Sequence, residues 1–518
     1  MESKMDIKLL KQSFSYTFLW GFLAHGYCFV NYIASHDALN NFYVAEKWSK
    51  GSFGRFFYPI YISITRGRIL LPWLIGIIGI FWAALAVYLI VRIFGVQKKM
   101  TICLIAAICI TNPTVYALAA TYLHDFDADL FALLLAVMAV FFWKMALDDI
   151  RKSVNRYFLL IVGAIVLSVM LGIYQSYISV SIVLIIMELI KKLLKQENVV
   201  KVLRQGIQGI LMLIVAAIVY LCELKVFTIY TGISAMNNNG YNGLGKLSTV
   251  FAGDFFKKVI GAYQDFVEKF IDLTSAYPGR IYLMIHGIVA IIIVCITIFC
   301  MIKLKWQSNA LLIGLAVLMP LGMNISYILS DEMVHDIMRY AFWLIYVFAL
   351  ILMDLFTEKQ IVSSKTKKIL QFVTIASVAI IVLGNVQTSN TIYVKKDLEY
   401  QSTLSYMTRV ADRIEENEEY IPGETPVYFV GQNAIGKTRV GFEKYTDITG
   451  MGASSPITFY DTYDKYFEYV LGMDLLLYED KSIEKNETVA EMPVFPKNGC
   501  VQMVDGIIVV KLEETEIR

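Results

Sequence analysis

Charged side chains are scarce in this sequence. They make up 17% of its 518 residues, whereas soluble domains carry roughly 25%, so an ordinary soluble fold is excluded for most of the chain. The net charge is only +2, which is too small to favour a nucleic-acid partner. The seven cysteines lie almost wholly inside apolar stretches, without paired spacing in any loop. This placement argues against both a disulfide framework and a zinc site.

Long apolar runs, in contrast, are abundant. Crossing the hydrocarbon of a bilayer takes roughly 18–20 apolar residues, and runs of this kind recur from Phe14 to Val386. We predict about eleven spans, at 14–34, 69–92, 101–120, 128–146, 157–173, 176–190, 206–229, 281–302, 308–329, 338–356 and 368–387. The segment 157–190 is either a hairpin that turns at 172–176 or one span plus a re-entrant piece. The pattern therefore predicts a polytopic α-helical membrane protein embedded in a lipid bilayer.

Lysine and arginine are distributed unevenly between the loops, and this predicts the orientation of the chain. With the N-terminus inside, the loops after alternate spans are rich in these residues, whereas the connections at 121–127 and 174–175 hold none. No small-residue cleavage site follows the N-terminal lysines, so we expect the first span to be retained. An odd number of spans then places the C-terminal segment outside.

Two domains are predicted. Residues 1–387 form the transmembrane domain, with outer loops at 35–68, 121–127, 230–280 and 330–337. Residues 388–518 are less hydrophobic and predict a small extracytoplasmic α/β domain, with a helix over 393–419 and strands at 425–430 and 506–512. In the third outer loop, FFKKVIGAYQDFVEKFIDL has apolar residues at helical spacing. This spacing predicts an amphipathic helix along the membrane surface.

The first outer loop brings an acid and several basic residues to one membrane face. His36 and Asp37 follow the first span directly, and Arg55, Arg66 and Arg68 precede the second. Asp37 can act as a general base on a sugar hydroxyl, or it can be a helix-end residue solvated by headgroups. The arginines can grip a lipid phosphate or snorkel to headgroups. Asp37 is the candidate catalytic base, and the other four are candidate substrate-binding residues.

A second group of acids opens the fourth predicted span. The stretch HDFDAD contains His124, Asp125, Asp127 and Asp129, and the first and last of these aspartates share one face of a helix. Capping explains one acid at a helix start, but three exceed that need, and oxygen-rich clusters suit Mg²⁺ or Mn²⁺. We predict that His124 and Asp125 bind substrate, and that Asp125, Asp127 and Asp129 hold a divalent cation. A solvated turn is the alternative.

A third group lies in SDEMVHDIMRY. Glu332 and Asp336 are four residues apart, as are His335 and Arg339. Arg339 would lie at the outer mouth of its span, where an arginine can bind a phosphate through two hydrogen bonds or snorkel to headgroups. Asp336 and Arg339 are therefore further candidate substrate-binding residues.

The segment 431–438, GQNAIGKT, matches the phosphate-loop pattern G-x-x-x-x-G-K-[ST] and follows a predicted strand. The predicted topology places it outside the membrane, where nucleoside triphosphate is absent. The following residues, TRVGFEKYTDITGMG, do not predict the helix that such a loop requires. We therefore interpret the match as accidental and expect no nucleotide cofactor.

The chain resembles the bacterial glucosyltransferase type II family in HGYCFVNYIASHD…GSFGR…GRILLPWLIGIIGIFWAALAVYL, in TYLHDFDADLFALLLAVMAVFF and in YVKKDLEYQSTLSYMTRVADRIEENEEYIPGETPVYFVG. The resemblance implies a GT-C-type enzyme that takes a sugar, typically glucose, from a polyprenyl-phosphate carrier such as undecaprenyl phosphate. The acceptor would be a cell-surface glycan at the outer face of the bacterial plasma membrane. In such enzymes an acid in the first outer loop is the usual base, and Asp37 fills that position here. His36 stands where a second acid is often found, which leaves metal dependence open.

Two other functions stay open beside the glycosyltransferase. A polysaccharide polymerase would need a large outer loop rich in arginine, and 230–280 contains only Arg280. A transporter or flippase for lipid-linked glycans predicts charged residues near span centres and two related halves. The titratable residues instead gather at one membrane face, and no halves repeat. We therefore expect a membrane glycosyltransferase.

Overall fold

The structure is a computed structural model that describes residues 2–31, 33, 36–39, 48, 50–147, 153–235, 255–271, 280–302, 305–329, 334–358, 363–431, 457 and 460–514. Helices dominate this part of the chain. They are α1 (Glu2–Val30), α2 (His36–Leu39), α3 (Tyr58–Arg66), α4 (Pro72–Phe94), α5 (Lys99–Thr111), α6 (Pro113–Thr121), α7 (Phe126–Ala146), α8 (Ser153–Leu171), α9 (Ile178–Leu194), α10 (Val199–Thr231), α11 (Phe255–Ile271), α12 (Arg280–Met301), α13 (Trp306–Met323), α14 (Ile325–Leu329), α15 (Leu344–Glu358), α16 (Ser364–Glu415), α17 (Thr462–Tyr466) and α18 (Glu487–Glu491).

Local sequence signals mark the ends of several helices. Pro59, Pro72 and Pro113 lie in the first turns of α3, α4 and α6, where the missing N–H of proline costs nothing. Gly95 and Gly232 follow α4 and α10 with φ of 65° and 76°. This left-handed conformation ends a helix readily at glycine, which has no Cβ to clash.

The membrane domain is a helix bundle with α5, α6 and α7 near its centre. Helix α7 packs against α4, α8 and α9, and α1 packs against α4, α5 and α16. The stretch Lys99–Thr121 is 94% buried by protein, whereas α10 is only 28% buried. Helix α10 exposes apolar side chains such as Ile210, Leu211 and Ile214. An apolar surface of this extent is stable against lipid rather than water, so the chain is a membrane protein.

Within the described ranges, eight helical segments are long and apolar enough to cross a membrane. They are Pro72–Phe94, Lys99–Thr121, Leu123–Ala146, Val199–Thr231, Tyr282–Phe299, Trp306–Met323, Tyr340–Thr357 and Ser364–Glu415. The other three predicted spans fall on α1, α8 and α9, which are shorter or less apolar. The polytopic helical fold is confirmed in this form, and the number of eleven spans stays a prediction.

Helices α8 and α9 occupy the predicted segment 157–190. They are joined through the short 3-10 helix Gln175–Tyr177. The turn is held against the first outer loop, because the Phe57 N–H donates to the Gly172 carbonyl at 2.8 Å. The choice between a hairpin of two spans and one span plus a re-entrant piece stays a prediction.

Helix α16 joins the membrane domain to the C-terminal part. It has 52 residues, so at a rise of about 1.5 Å per residue it is about 78 Å long. The hydrocarbon core is only about 30 Å thick, so α16 extends well beyond it. The predicted last span and the predicted helix over 393–419 are both parts of α16. The predicted domain boundary at 387/388 thus falls inside a continuous helix.

The C-terminal part contains a four-stranded sheet in the order β2-β1-β4-β3. Strands β1 (Pro426–Val430), β2 (Leu476–Leu477) and β4 (Ile507–Lys511) are parallel, with Val427 opposite Ile508, and β3 (Val501–Val504) is antiparallel to β4. One face of the sheet packs against Met407 and Val410 of α16. The predicted α/β character and the strands at 425–430 and 506–512 are confirmed.

The predicted amphipathic helix is α11. Phe266 and Phe270 on one face lie against Phe342 and Trp343, with ring centres 5.2 and 5.8 Å apart. A separate stripe of apolar side chains, Phe256, Ile260, Val267 and Ile271, is between 50% and 83% exposed. This second apolar stripe fits a helix lying at a membrane interface, and the position at the membrane surface stays a prediction.

Candidate functional site

The stretch HDFDAD forms the 3-10 turn Leu123–Asp125, which leads directly into α7. Its ionisable side chains His124, Asp125, Asp127 and Asp129 are at most 4% exposed. A buried carboxylate is costly unless another charge or a hydrogen bond compensates for it. The partners of the three aspartates therefore define the chemistry of this end of the bundle, which is called the acidic end below.

Asp125 is paired with a lysine of the first outer loop. Lys50 Nζ donates to Asp125 Oδ2 and lies 5.0 Å from the centre of the Tyr58 ring. The backbone of Lys50 is left-handed, with φ of 64°, which is uncommon for a residue other than glycine. On the other side of the carboxylate, His124 Nε2 is 3.6 Å from Asp125 Oδ1. The first outer loop thus reaches into the acidic end.

Asp127 is paired with Arg66. Arg66 Nε is 3.2 Å from Asp127 Oδ2, and the Tyr61 hydroxyl donates to the same oxygen at 3.2 Å. The other two guanidinium nitrogens donate to the backbone carbonyls of Ile69 at 2.8 Å and His124 at 2.5 Å. Every nitrogen of Arg66 is therefore engaged by the protein, which favours a structural role over the predicted phosphate contact.

Asp129 differs from the other two aspartates. Within the described ranges, no hydrogen bond or ion pair reaches its carboxylate, although Arg55 and Lys50 attract it electrostatically. The Arg55 guanidinium lies 4.5 Å from the centre of the Tyr174 ring, and its Nε is buried with no hydrogen-bond partner there. The buried hydroxyl of Tyr177 is likewise without a partner among these residues. Unpaired buried polar atoms are rare in folded proteins and are typical of ligand sites.

The segment around Arg339 forms a second polar cluster. Arg339 donates to Asp336 Oδ1 at 2.9 Å and to Asp265 Oδ1 of α11 at 2.5 Å, and Lys269 Nζ of α11 is 2.6 Å from Asp336 Oδ1. Burial by itself would raise the pKa of Asp336, but Lys269 and Arg339 outweigh it and lower that pKa below its ordinary value. Arg339, like Arg66, thus donates hydrogen bonds to protein carboxylates. The sequence predicted a phosphate contact for both residues. These ion pairs join α11 to the segment before α15.

The two clusters are connected through buried tyrosines and α6. The rings of Tyr177 and Tyr340 lie 5.5 Å apart, and Thr114 of α6 donates its hydroxyl to the Asp336 carbonyl at 2.7 Å. The acidic end is therefore a continuous polar region. Its buried atoms without a hydrogen-bond partner in the described part of the chain include Arg55 Nε, Arg339 Nε, the Tyr177 hydroxyl and one oxygen each of Asp125 and Asp127. Asp129 differs in that its whole carboxylate lacks a described ion pair.

Other predicted site residues stay untested. The backbone of His36 and Asp37 belongs to α2, but both side chains lie outside the described part, as do Asp331 and Glu332. Arg68 is partly exposed and has a φ of 65°.

Helix α2 is anchored in the C-terminal domain. Leu39 is fully buried, in one cluster with Met407 of α16, Val427 of β1 and Ile508 of β4. Since Leu39 is two residues from Asp37, the C-terminal domain restrains the position of the candidate base. This contact joins the two predicted domains at the acidic end.

A family model for the glucosyl transferase GtrII matches residues 26–353. The matched region is well over half of the chain and includes the first outer loop, HDFDAD and the segment around Arg339. The chain belongs to the GtrII glucosyl transferase family. No curated protein and no solved structure matches the sequence significantly. The resemblance inferred from sequence is confirmed, and GtrII membership makes the protein a glycosyltransferase.

The three aspartates of this GtrII protein do not converge on one point. Asp125 faces Lys50 and Asp127 faces Arg66. In the described part of the chain, no group of three acidic, histidine or cysteine side chains is arranged to hold a metal ion. The arrangement of Asp125, Asp127 and Asp129 therefore does not fit a shared divalent cation.

Several residues of the acidic end and of the cluster around Arg339 were not singled out in the sequence, namely Lys50, Tyr58, Tyr61, Tyr174, Tyr177, Asp265 and Lys269. One signal was available for Tyr58 and Tyr61, which are three residues apart on one helix face beside the arginines. For the other five residues, including the isolated cation Lys50, the sequence offers no comparable signal.

Proposed function

We propose that the protein transfers a hexose, glucose by its family, from a polyprenyl-phosphate donor to a cell-surface polysaccharide. The reaction would take place at the outer face of the bacterial plasma membrane. The observation that supports this proposal is the incompletely paired polar cluster at the acidic end, which the first outer loop reaches with Lys50 and Arg55. Such a site between apolar helices is suited to a ligand with a charged head and a lipid tail.

Arg55 is the residue best suited to bind the donor phosphate. Its Nε is buried without a hydrogen-bond partner in the described structure, and its guanidinium lies 4.5 Å from the centre of the Tyr174 ring. A guanidinium in this state gains a charge-assisted hydrogen bond when a phosphate arrives. Lys50 would assist by sharing its charge between Asp125 and the phosphate.

Asp37 is proposed as the general base. Its carboxylate takes the proton from an acceptor hydroxyl while that oxygen attacks the anomeric carbon of the donor sugar. The bond from this carbon to the phosphate oxygen breaks, and the polyprenyl phosphate leaves with the electron pair. Direct displacement of this kind inverts the anomeric configuration. Asp129 is proposed to position the acceptor by hydrogen bonding.

The test is sugar transfer by the purified full-length protein in detergent. Radiolabelled polyprenyl-phosphate glucose and a crude cell-wall glycan extract are supplied, and label in the glycan is counted. Asp37→Asn should lower the rate by about 100-fold or more, as expected for loss of a general base. Asp412→Asn, the same change at an exposed position on α16, should leave the rate unchanged.

Two results would contradict the proposal. Label that stays on the lipid with the unmodified protein would overturn the donor and acceptor assignment. Normal transfer by Asp37→Asn would overturn only the assignment of the base.

A further inference from the structure

The opposite end of the bundle, where α7 ends and α8 and α10 begin, contains an open cavity of about 360 Å³. This end is called the basic end. The polar side chains that line the cavity are Arg156, Asn198, Lys201, Arg204, Gln205 and Gln208. Among the described residues, the lining thus has three cations and no carboxylate.

Three cations elsewhere at the basic end have carboxylate partners. Lys144 and Lys191 both pair with Glu188, and Arg92 pairs with Asp6 at 2.9 Å. Among the described residues, Arg156 and Arg204 make no ion pair, and Arg156 Nε is buried without a hydrogen-bond partner. An unpaired buried guanidinium nitrogen costs free energy. An anion in the cavity would remove that cost.

The side-chain amides of Gln205 and Asn198 use their oxygens as acceptors within the protein, so their N–H groups remain as donors for an anion. Lys192 Nζ donates to Gln205 Oε1 at 2.8 Å, which leaves Nε2 as the remaining donor of the Gln205 side chain. Asn198 Oδ1 accepts from the backbone N–H groups of Val200 and Lys201 and so caps α10. The positive potential of the cavity therefore comes from its side chains and from the dipole of a 33-residue helix.

Apolar residues beside the cavity point to a lipid as the source of the anion. Tyr157 and Phe158 of α8 are 61% and 63% exposed, and Leu203 and Ile207 of α10 are about half exposed. They belong to the helix surfaces that face lipid, directly next to Arg156 and Arg204. A headgroup phosphate in the cavity would place its acyl chains along these side chains.

We propose that this cavity binds the phosphate of an anionic phospholipid from the leaflet at the basic end. Basic pockets between membrane helices recognise such headgroups, and arginine binds phosphate through two parallel hydrogen bonds. The site lies at the far end of the bundle from the acidic end, so it is independent of the proposed sugar transfer. Its role is to fix the ends of α7, α8 and α10 relative to the lipid.

The experiment is native mass spectrometry of the full-length protein released from detergent with added phosphatidylglycerol or phosphatidylcholine. The unmodified protein should retain phosphatidylglycerol in preference to phosphatidylcholine. The double variant Arg156→Gln/Arg204→Gln should bind phosphatidylglycerol at least about tenfold more weakly, because even one lost charged hydrogen bond weakens binding by about this factor. The control is Arg92→Gln/Lys195→Gln, which removes the same charge at the same end outside the cavity.

The control should bind phosphatidylglycerol within about twofold of the unmodified protein. Equal weakening in both double variants would overturn the proposal, because net charge alone would then explain binding. So would phosphatidylglycerol binding that Arg156→Gln/Arg204→Gln leaves unchanged. Inorganic phosphate that displaces the lipid at equal concentration would overturn the lipid source in favour of a soluble phosphate.

Discussion

Arg66 and Asp127 form an ion pair with almost no access to solvent: Arg66 Nε is 3.2 Å from Asp127 Oδ2, and the side chains are 1% and 0% exposed. The pair joins α3, which is part of the first outer loop, to the start of α7. Asp129 lies two residues further along α7, is also buried, and has no such partner in the described chain. This difference between neighbouring aspartates predicts a structural role for Asp127 and a functional role for Asp129.

Removing one member of the Arg66–Asp127 pair should destabilise the protein. Arg66→Leu leaves the Asp127 carboxylate buried without its charge partner, and such changes cost about 3–5 kcal/mol. Thermal unfolding in detergent should show a clear fall in Tm. The double variant Arg66→Leu/Asp127→Leu should recover part of the loss, since no charge is then left unpaired. Equal Tm values for Arg66→Leu and the unmodified protein would contradict the structural role.

Asp129→Asn, unlike Arg66→Leu, should retain the stability of the protein and lose activity. The carboxylate has no described partner to lose, so the Tm of this variant should equal or exceed that of the unmodified protein. Such a result is typical of sites where function requires a group that destabilises the fold. Transfer of labelled sugar should fall by about tenfold or more if the carboxylate positions the acceptor. A large fall in Tm would show instead that Asp129 is structural.

Arg55→Ala should raise the KM for the polyprenyl-phosphate donor by about tenfold or more, because a charge-assisted hydrogen bond to phosphate is lost. The value of kcat should change less, since the arginine is proposed to bind rather than react. Arg409→Ala is a matched control: its guanidinium also lies near aromatic rings, 5.6 Å from Tyr406 and from Phe495. An unchanged donor KM in Arg55→Ala would exclude this residue from phosphate binding.

The Asp336 cluster should make the attachment of α11 sensitive to acid. Lys269 and Arg339 lower the folded-state pKa of Asp336 despite its burial, and the unfolded value is about 4. The unfolded chain therefore binds the proton first, and the stabilisation is complete above about pH 5 and is lost as the pH falls through and below about 4. Tm measured between pH 3 and 6 should fall more steeply in the unmodified protein than in Asp336→Asn. Parallel curves would contradict this role of Asp336.

Leu39→Ala should lower the rate of sugar transfer, because Leu39 holds α2 and thereby positions the first outer loop. The side chain is fully buried among residues of the C-terminal domain, and removing such a leucine usually costs about 2–5 kcal/mol. Because that contact holds α2, kcat should fall while the donor KM changes little. Leu476→Ala, at a leucine of the same domain that is 45% exposed, serves as the control and should retain normal transfer.

Local patterns were sufficient to predict much of this structure. Apolar runs set the helices of the bundle, and helical spacing of apolar residues identified α11. β-Branched and aromatic runs identified β1 and β4. Each of these elements depends mainly on residues within a few turns of each other, so a sequence window contains the information. The sequence also showed that three aspartates at the start of one helix exceed the need for a cap, although it did not predict their burial.

The partners of these acids depended on the tertiary structure. Lys50 and Asp125 are 75 residues apart in sequence, and Arg339 and Asp265 are 74 apart, so no local pattern joins them. Packing of α3 and α11 against the bundle decided that Arg66 and Arg339 contact protein carboxylates. The sequence by itself therefore determined the membrane-spanning helical class, the family and the acidic end. Only the packing of distant helices decided which charges there have a protein partner and which, at Asp129 and Arg55, have no ion pair in the described part of the chain.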